Sequence, residues 1–304
     1  MSTTTVANPA PAGIAVPQPA PPVSRGYWQG VARRLSRDPV TLFFGFILLL
    51  MALAILFAPW LSPHDPYQTS MIRRLRPIGF QDWRYPLGTD ELGRDMLTRL
   101  LHGGRLSWFL GITPVLIAFA IGGTLGVLAG FAGGWVNMLI MRVTDVFYAF
   151  PSVLLAVAIS GALGPGISNA MLSLTLVFIP QIIRVAESTT TSVRNLDYVE
   201  SARASGAGAF TIVRAHVLPN VLGPIFVYAT SLISVSMILA SGLSFLGLGT
   251  KPPEPEWGLM LNTLRTAIYS QPLIAMLPGV CIFLTSMCFN MVSDGLRSAM
   301  DVRG

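Results

Sequence analysis

Six apolar runs, each long enough to cross a bilayer as a helix, constrain this chain more than any other feature of its sequence. They fall at residues 40–59, 106–131, 146–163, 169–185, 221–248 and 272–292. A helix needs about 20 apolar residues to cross the hydrocarbon core, and in that core it satisfies its own backbone hydrogen bonds. The pattern predicts an all-α, polytopic membrane protein with six transmembrane helices.

The composition agrees with this class. Hydrophobic residues make up 52% of the chain and charged residues only 11%, whereas charged residues are about a quarter of an ordinary soluble domain. The net charge is +6, but the basic residues are scattered between apolar runs and form no patch of the kind that binds nucleic acid. Arginines that flank helices and contact lipid headgroups explain the charge better, so no nucleic-acid partner is predicted.

Three parts follow from the positions of the runs. Residues 1–35 are rich in proline and alanine at their start and predict a disordered tail, residues 36–105 hold the first helix and a polar segment, and residues 106–304 form a five-helix core. The first run follows four arginines, as in a signal peptide. However, it is long enough to span and no small-residue cleavage site follows it, so an uncleaved helix is predicted.

Charge alone leaves the orientation open. Six spans put both termini and the polar stretch 186–220 on one side, where eleven basic residues lie against nine on the other side. Cytoplasmic loops carry an excess of Lys and Arg, and this difference is too small to decide which side is which.

Small residues predict where helices approach one another. The second run carries glycines at every fourth position, which lie on one helix face and predict close packing with another helix; they are Gly122, Gly126, Gly130 and Gly134. The alternative is the general abundance of glycine in membrane helices. Prolines inside the runs predict kinks, at positions 114, 151, 180 and 278.

Two pairs of opposite charges lie in or beside the spans. Arg142 and Asp145 are three residues apart, as are Arg184 and Glu187, so each pair shares a helix face. Ionisable groups at membrane depth are functional candidates by default. We expect each pair to neutralise itself as an ion pair, and the alternative is contact with a transported solute.

The polar segment 194–220 predicts two short helices joined at glycine. Asn195 or Asp197 is suited to cap a helix, and Glu200 in the first turn complements the helix dipole. Gly206 and Gly208 are expected to end that helix and turn the chain.

A second helix is predicted after the turn, with Phe210, Val213 and Val217 on one face, and Pro219 begins the fifth span. Two short helices on the membrane surface indicate a docking element. The alternative is an ordinary loop.

This segment resembles the EAA loop of bacterial ABC importer permeases, whose pattern is Glu-Ala-Ala, three residues, Gly, nine residues, Ile, any residue, Leu-Pro. The matching positions here are Glu200-Ser201-Ala202, Gly206, His216 and Leu218-Pro219, with departures at Ser201 and His216. The resemblance implies that the loop is cytoplasmic and docks on an ATPase subunit. The coupling residues it implies are Tyr198, Glu200, Ser201, Ala202, Gly206, Phe210, Leu218 and Pro219.

Three further stretches are similar to the C-type permease of the dipeptide, oligopeptide and nickel importer family, at residues 86–101, 244–258 and 294–301. The resemblance covers residues 36–304 and implies a type I ABC importer permease fold in the bacterial cytoplasmic membrane, with both termini in the cytoplasm and the 61–105 segment outside. It implies alternating access driven by two ATPase subunits that hold ATP and Mg, a second, B-type permease, and an extracytoplasmic binding protein. The cargo stays open among dipeptides, longer peptides, glutathione, a nickel chelate and other small solutes.

No enzyme chemistry is encoded by a recognisable motif. The chain has no Gly-x4-Gly-Lys-Ser/Thr phosphate loop, no Gly-x-Ser-x-Gly and no His-Glu-x-x-His. His64 and His102 have no second ligand at metal spacing, so neither a metal site nor a cofactor is predicted on this chain.

Two other classes remain as alternatives. An ion-gradient-driven secondary transporter or channel would need no ATPase, and internal repeats would favour it, but the sequence has no convincing repeat. A membrane-bound enzyme is disfavoured because no nucleophile–base pair or metal constellation is present.

Overall fold

The computed structural model describes residues 27–79 and 83–300, and its regular structure within these ranges is helical. The α-helices in chain order are α1 (Tyr27–Leu35), α2 (Pro39–Leu56), α3 (Ala58–Leu61), α4 (Met96–Ala132), α5 (Gly134–Tyr148), α6 (Ser152–Leu163), α7 (Ile167–Arg194), α8 (Asp197–Ala204), α9 (Ala209–Ile212), α10 (Leu218–Phe245), α11 (Trp257–Thr263) and α12 (Pro272–Met300). A π turn, Val213–Val217, joins α9 to α10, and 3₁₀ turns occur at Met71–Arg73 and Ala267–Tyr269.

Within residues 27–79 and 83–300, five continuous helical stretches are long and apolar enough to cross a membrane: α2, α4, α7, α12, and the run from α9 through α10. The third predicted span, 146–163, is not one helix. Its residues belong to α5 and α6, which meet at an angle of 86°. Pro151 explains the break, because proline lacks a backbone N–H and disfavours helical geometry at the residue before it.

The direction of the helices shows that α5 and α6 together make one crossing. Gly122 of α4 lies against Ile182 of α7, and further along both helices Gly130 lies against Thr190. α4 and α7 therefore run parallel, so the chain between them must return through the same thickness. The described part of the chain therefore makes six crossings.

α2 runs antiparallel to α12, and α10 runs antiparallel to α4. Gly45 of α2 lies beside Val292 of α12, whereas Met51 lies beside Thr285; Gly111 of α4 meets Met237 of α10. The starts of α2 and α10 and the ends of α4, α7 and α12 thus gather at one end of the bundle, here called the loop end. The opposite end, which carries residues 62–79 and 83–95, is called the cap end.

Two helices extend beyond the apolar runs that predicted them. α4 begins at Met96 rather than at residue 106, because Asp95 caps it by accepting from the Thr98 N–H at 3.1 Å. α7 continues through polar residues to Arg194 rather than ending at residue 185. With 37 residues α4 is about 55 Å long, so it extends well past a hydrocarbon core of about 30 Å. Apolar runs mark the part of a helix inside the bilayer, whereas caps mark its ends.

The predicted tail lies mostly outside the described residues, which begin at residue 27. Residues 27–35, which belong to that predicted tail, form α1, which contacts α12 and buries Val31. The helical part of the chain therefore starts before the predicted first span.

Candidate functional site

The segment at the loop end begins where α7 stops. Asn195 closes α7, and α8 starts after Leu196, whose extended backbone forms the N-cap without a side-chain hydrogen bond. The prediction that Asn195 or Asp197 caps this helix is therefore wrong. Asp197 and Glu200 nevertheless occupy the first turn of α8, where carboxylates interact favourably with the helix dipole.

The turn after α8 requires glycine at one position. Gly206 has φ +83°, in the left-handed region that residues with a side chain rarely adopt. Its N–H donates to the Arg203 carbonyl at 3.0 Å. The next N–H, that of Ala207, donates to the Ala202 carbonyl at 3.1 Å. This is the Schellman arrangement that ends many helices, so Gly206 determines how the chain leaves α8.

α9, the π turn and α10 continue as one line of helix. Val199, Ile212 and Val217 are buried and anchor the segment to the bundle. Pro219 lies in the first turn of α10, and the wider π turn before it relieves the clash that a proline ring makes with the preceding helical turn.

The predicted apolar face of the second loop helix is wrong at one residue. Phe210 is 77% exposed, whereas Ile212 takes the buried position. α9 has only four residues before the π turn changes the spacing of the side chains, so a 3.6-residue period does not hold across 210–217. Tyr198 is also exposed, and its hydroxyl donates to the His216 carbonyl at 3.4 Å, which links α8 to the π turn.

The remaining predicted coupling residues surround this turn. Glu200 and Ser201 are exposed, Ala202 is half-buried behind them, and Leu218 is half-buried at the start of α10. The structure thus gathers all eight predicted coupling residues into one anchored segment at the loop end.

Three of the four glycines of the predicted stripe lie between α4 and α7. A Cβ built on Gly122 would come within 2.8 Å of the Ile179 carbonyl oxygen, and one on Gly126 within 2.5 Å of the Ala186 Cβ. Gly130 is equally close to the Glu187 carbonyl oxygen, at 2.7 Å.

Gly134 does not belong to this stripe. α4 ends at Ala132, Gly134 has φ +51° at the start of α5, and nothing lies within 4 Å of a Cβ there. The period of four breaks because the chain turns at Gly133.

The predicted ion pairs do not form within their helices. Arg184 of α7 instead pairs with Asp145 of α5, with 2.6 Å between guanidinium nitrogen and carboxylate oxygen. Glu187 accepts from the Asn137 amide at 2.6 Å. Arg142 is exposed and has no ion pair among the described residues. Because α5 packs against α7, partners on the two helices lie closer to each other than the residues three apart on one helix that were predicted to pair.

A buried polar cluster at the cap end escaped the sequence reasoning. Asp90 pairs with Arg94 at 2.6 Å and with Arg99 at 3.4 Å, and all three side chains are buried. His64 lies 3.5 Å from the Asp95 carboxylate. The charges lie in stretch 86–101, which the family resemblance marked without a role. No local pattern distinguishes them from an ordinary polar loop.

Glu256 is a further buried polar residue near the cap end. Its carboxylate caps α11, accepting from the N–H groups of Gly258 and Leu259 at 2.8 Å each, and from the Ser107 hydroxyl at 3.2 Å. Burial raises the pKa of the Glu256 carboxyl, and the hydrogen bonds from Gly258 and Leu259 oppose that rise. The contacts join segment 251–258 firmly to α4.

We expect Asp90→Ala to destabilise the cap end strongly, because it leaves Arg94 and Arg99 buried without their carboxylate. Removing one partner of a buried pair costs about 3–5 kcal/mol. The control is Glu91→Ala, since the Glu91 carboxylate is half-exposed and accepts only from the Thr266 hydroxyl among the contacts described. Thermal denaturation of the purified protein in detergent measures both variants, and equal losses would show that the pair adds nothing specific.

Comparison with known proteins identifies families with a matching sequence and a solved structure with a similar fold. Residues 122–303 match the family of "Binding-protein-dependent transport system inner membrane component", and residues 26–77 match the "N-terminal TM domain of oligopeptide transport permease C". This chain superposes with a TM-score of 0.55 on a solved structure of the MetNI methionine ABC transporter in inward facing conformations. The superposition covers 67% of this chain and 97% of the MetNI chain at 18% sequence identity, so it supports the fold alone.

Several relatives align along most of the chain. The glutathione transport system permease protein GsiD of Pectobacterium atrosepticum is 42% identical, covering 90% of each chain. The di/tripeptide permease DppC of Pseudomonas aeruginosa is 41% identical, again over 90% of each. The dipeptide permease DppC of Alkalihalophilus pseudofirmus is 37% identical, over 95% of this chain and 96% of the relative.

These matches confirm the predicted all-α, polytopic fold of a type I importer permease and the resemblance read from the motifs. They do not favour the alternative of an ion-gradient-driven transporter. They also confirm the prediction of a transport subunit that is not itself an enzyme. The family model over 122–303 and the identities of about 40% over nine-tenths of the chain together show that this multi-pass membrane protein belongs to the binding-protein-dependent transport system inner membrane components, the permease subunits of ABC importers.

Proposed function

We propose that this permease is the C-type subunit of an importer for peptide-like solutes, in the bacterial cytoplasmic membrane with its loop end facing the cytoplasm. A second, B-type permease completes the pathway, two ATPase subunits bind at the loop end with ATP and Mg, and an external binding protein delivers the solute. The likeness of residues 26–77 to oligopeptide permease C supports the C-type assignment.

The exposure of Phe210 carries the docking proposal. Phe210 is 77% exposed, whereas Val199, Ile212 and Val217 of the same segment are buried. A large aromatic residue presented by an anchored polar segment is typical of the centre of a protein–protein contact. Tyr198 and Leu196 of the same segment are also exposed, at 41% and 46%. An ATPase subunit with an apolar cleft fits this surface.

The connection of the loop to α10 supports a route for coupling. α9, the π turn and α10 run without a break from Ala209 to Phe245. A force applied at Phe210 therefore acts on a helix that crosses the bundle, and ATPase closure would move that helix. The pathway then opens outward, and hydrolysis resets it.

The relatives supply the solute class. The names of the relatives refer to glutathione, dipeptides and di/tripeptides, which share peptide bonds and free carboxylates. We therefore propose peptides of two or three residues as the cargo. Labelled dipeptide and glutathione, offered with the binding protein to liposomes that contain the complex and ATP, test this choice.

We expect Phe210→Ala to weaken ATPase binding by about 30-fold, because truncating a central aromatic residue costs about 2 kcal/mol. Thr211→Ala, the exposed neighbour, serves as the matched control with little effect. Affinity is measured by titrating the detergent-purified permease pair with its ATPase subunits. A chain that purifies alone and transports peptide without ATP would contradict the importer assignment itself.

A further inference from the structure

A cleft with an apolar wall and several polar side chains lies at the bend between α5 and α6. It has a volume of about 340 Å³, near the lower end of the range for small-molecule sites. The polar side chains that line it are Tyr148, Ser152, Gln181 and Tyr228, from four different helices. We call it the bend cleft.

The bend cleft lies within the apolar runs of α7 and α10, nearer the loop end than the cap end. Gln181 lies four residues before the end of run 169–185, about 6 Å along the helix. Tyr228 lies seven residues after the start of run 221–248, and this run begins at the loop end. These positions place the polar groups inside the part of the bundle that enters the membrane.

Among the described residues, the polar groups of the cleft make few hydrogen bonds. Within residues 27–79 and 83–300 the hydroxyls of Tyr148 and Tyr228 make no hydrogen bond, and the Gln181 amide makes a single long contact, 3.5 Å to the Val177 carbonyl. Polar groups without partners are costly in hydrocarbon. The cleft is therefore suited to water or to a solute that supplies donors and acceptors, and not to lipid.

Charged residues beside the cleft also indicate that it faces water or a solute. The Arg184–Asp145 pair is about half exposed, with side-chain exposures of 48% and 51%, and the Arg184 guanidinium lies 4.4 Å over the Tyr148 ring. Arg142, also exposed, lies one turn before Asp145 on α5. Charged groups at membrane depth face protein or water rather than lipid. Glu187 lies one turn after Arg184 on α7 and contacts α5 through Asn137, so acidic and basic residues balance here, and Arg184 is a cation in contact with a residue that lines the cleft.

We propose that the bend cleft is a solute-contact site of the transport pathway, where the hydroxyls of Tyr148 and Tyr228 and the Gln181 amide hydrogen-bond to peptide groups. Arg184 faces the solute's carboxylate. The solute class is a short peptide with a free C-terminal carboxylate. This inference rests on the proposed function, and the cleft adds the place and the residues of contact.

The first test removes only the hydroxyls. Tyr148→Phe and Tyr228→Phe keep the packing, and Tyr269→Phe, at a residue 92% exposed near the cap end, is the matched control. In liposomes with loaded binding protein, we expect each cleft variant to lower dipeptide uptake per ATP hydrolysed by about three- to tenfold, the effect of one lost hydrogen bond. Stimulated ATPase activity and thermal stability stay at wild-type values, which separates contact with the solute from a structural role.

The second test detects the contact directly. A photo-crosslinking p-benzoylphenylalanine replaces Tyr228, or Phe46 on the exposed side of α2 as the control. During turnover we expect labelled dipeptide on the chain at position 228 and none at position 46.

Capture of lipid or of the second permease at position 228, with no peptide, would overturn the inference, as would cleft variants with unchanged uptake per ATP. A wild-type complex without ATP-dependent peptide uptake would overturn the proposed function instead, so the two failures are distinguishable.

Discussion

Gly206→Val is expected to uncouple ATP hydrolysis from import while the external binding protein still captures its cargo. Gly206 has φ +83°, a conformation that a β-branched residue adopts only with strain. Nothing lies within 4 Å of a Cβ at this position, so the effect comes from the backbone and not from a clash. The turn must rearrange, and α8 then leaves its docking position.

The expected size follows from the coupling free energy between two sites. Loss of a coupling of roughly 1–3 kcal/mol would cut binding-protein-stimulated hydrolysis by about 5- to 150-fold. The ATPase rate in liposomes, with and without loaded binding protein and alongside uptake of labelled cargo, measures it. Glu200→Lys should act in the same direction with a smaller effect, because a cation in the first turn of α8 opposes the helix dipole.

Two controls separate conformation from loss of fold. Gly206→Asn should retain most of the coupling, because asparagine tolerates the left-handed region better than other residues with side chains. Gly208→Ala should be neutral, since Gly208 has φ −68° and open space around it. If Gly206→Val assembles normally and keeps full stimulated hydrolysis and uptake, the loop is not the transmission element.

Gly126→Leu is expected to prevent assembly of a stable permease. A Cβ alone at this position would lie 2.6 Å from the Ile183 carbonyl oxygen and 2.5 Å from the Ala186 Cβ. α4 and α7 would have to separate, and overpacking of a well-packed contact costs about 1–3 kcal/mol or more. Gly126→Ala should already destabilise the protein, although alanine favours helix more than glycine does.

Gly123→Leu provides the matched comparison on the same helix. Nothing lies within 4 Å of a Cβ at Gly123, so the same exchange adds bulk where there is space. The yield of assembled complex and its thermal midpoint in detergent measure both variants. Equal behaviour of Gly123→Leu and Gly126→Leu would show that close approach of α4 and α7 is not required.

The sequence alone was sufficient for the membrane class, six crossings and the permease family. Long apolar runs have few stable alternatives to helices in a bilayer, so composition and run length indicate the membrane class and the crossings without any tertiary contact. The permease family was indicated by the motifs, above all that of segment 194–220. The turn at Gly206 was also predictable, since the glycine and its helix lie next to each other in the chain. Features that depend on neighbours in sequence are readable from sequence.

Residue partners across helices were not readable in this way. The sequence placed Asp145 with Arg142 and Arg184 with Glu187, whereas the structure pairs Arg184 with Asp145. The exchange depends on how α5 packs against α7, and no spacing within either helix contains that information. The same holds for the Asp90–Arg94–Arg99 cluster, whose burial needs the cap segment folded onto α4.

The tertiary structure also determined what the third apolar run became. Its residues predicted one helix, but α5 and α6 meet at 86°, and the bend brings Tyr148 near Gln181 and Tyr228 in one cleft. Pro151 signalled a kink but not its angle, which packing against α7 and α10 sets. The amino-acid sequence by itself thus determined which segments enter the membrane, because transfer into hydrocarbon depends on each segment alone, whereas only helix packing decided which polar groups meet inside it.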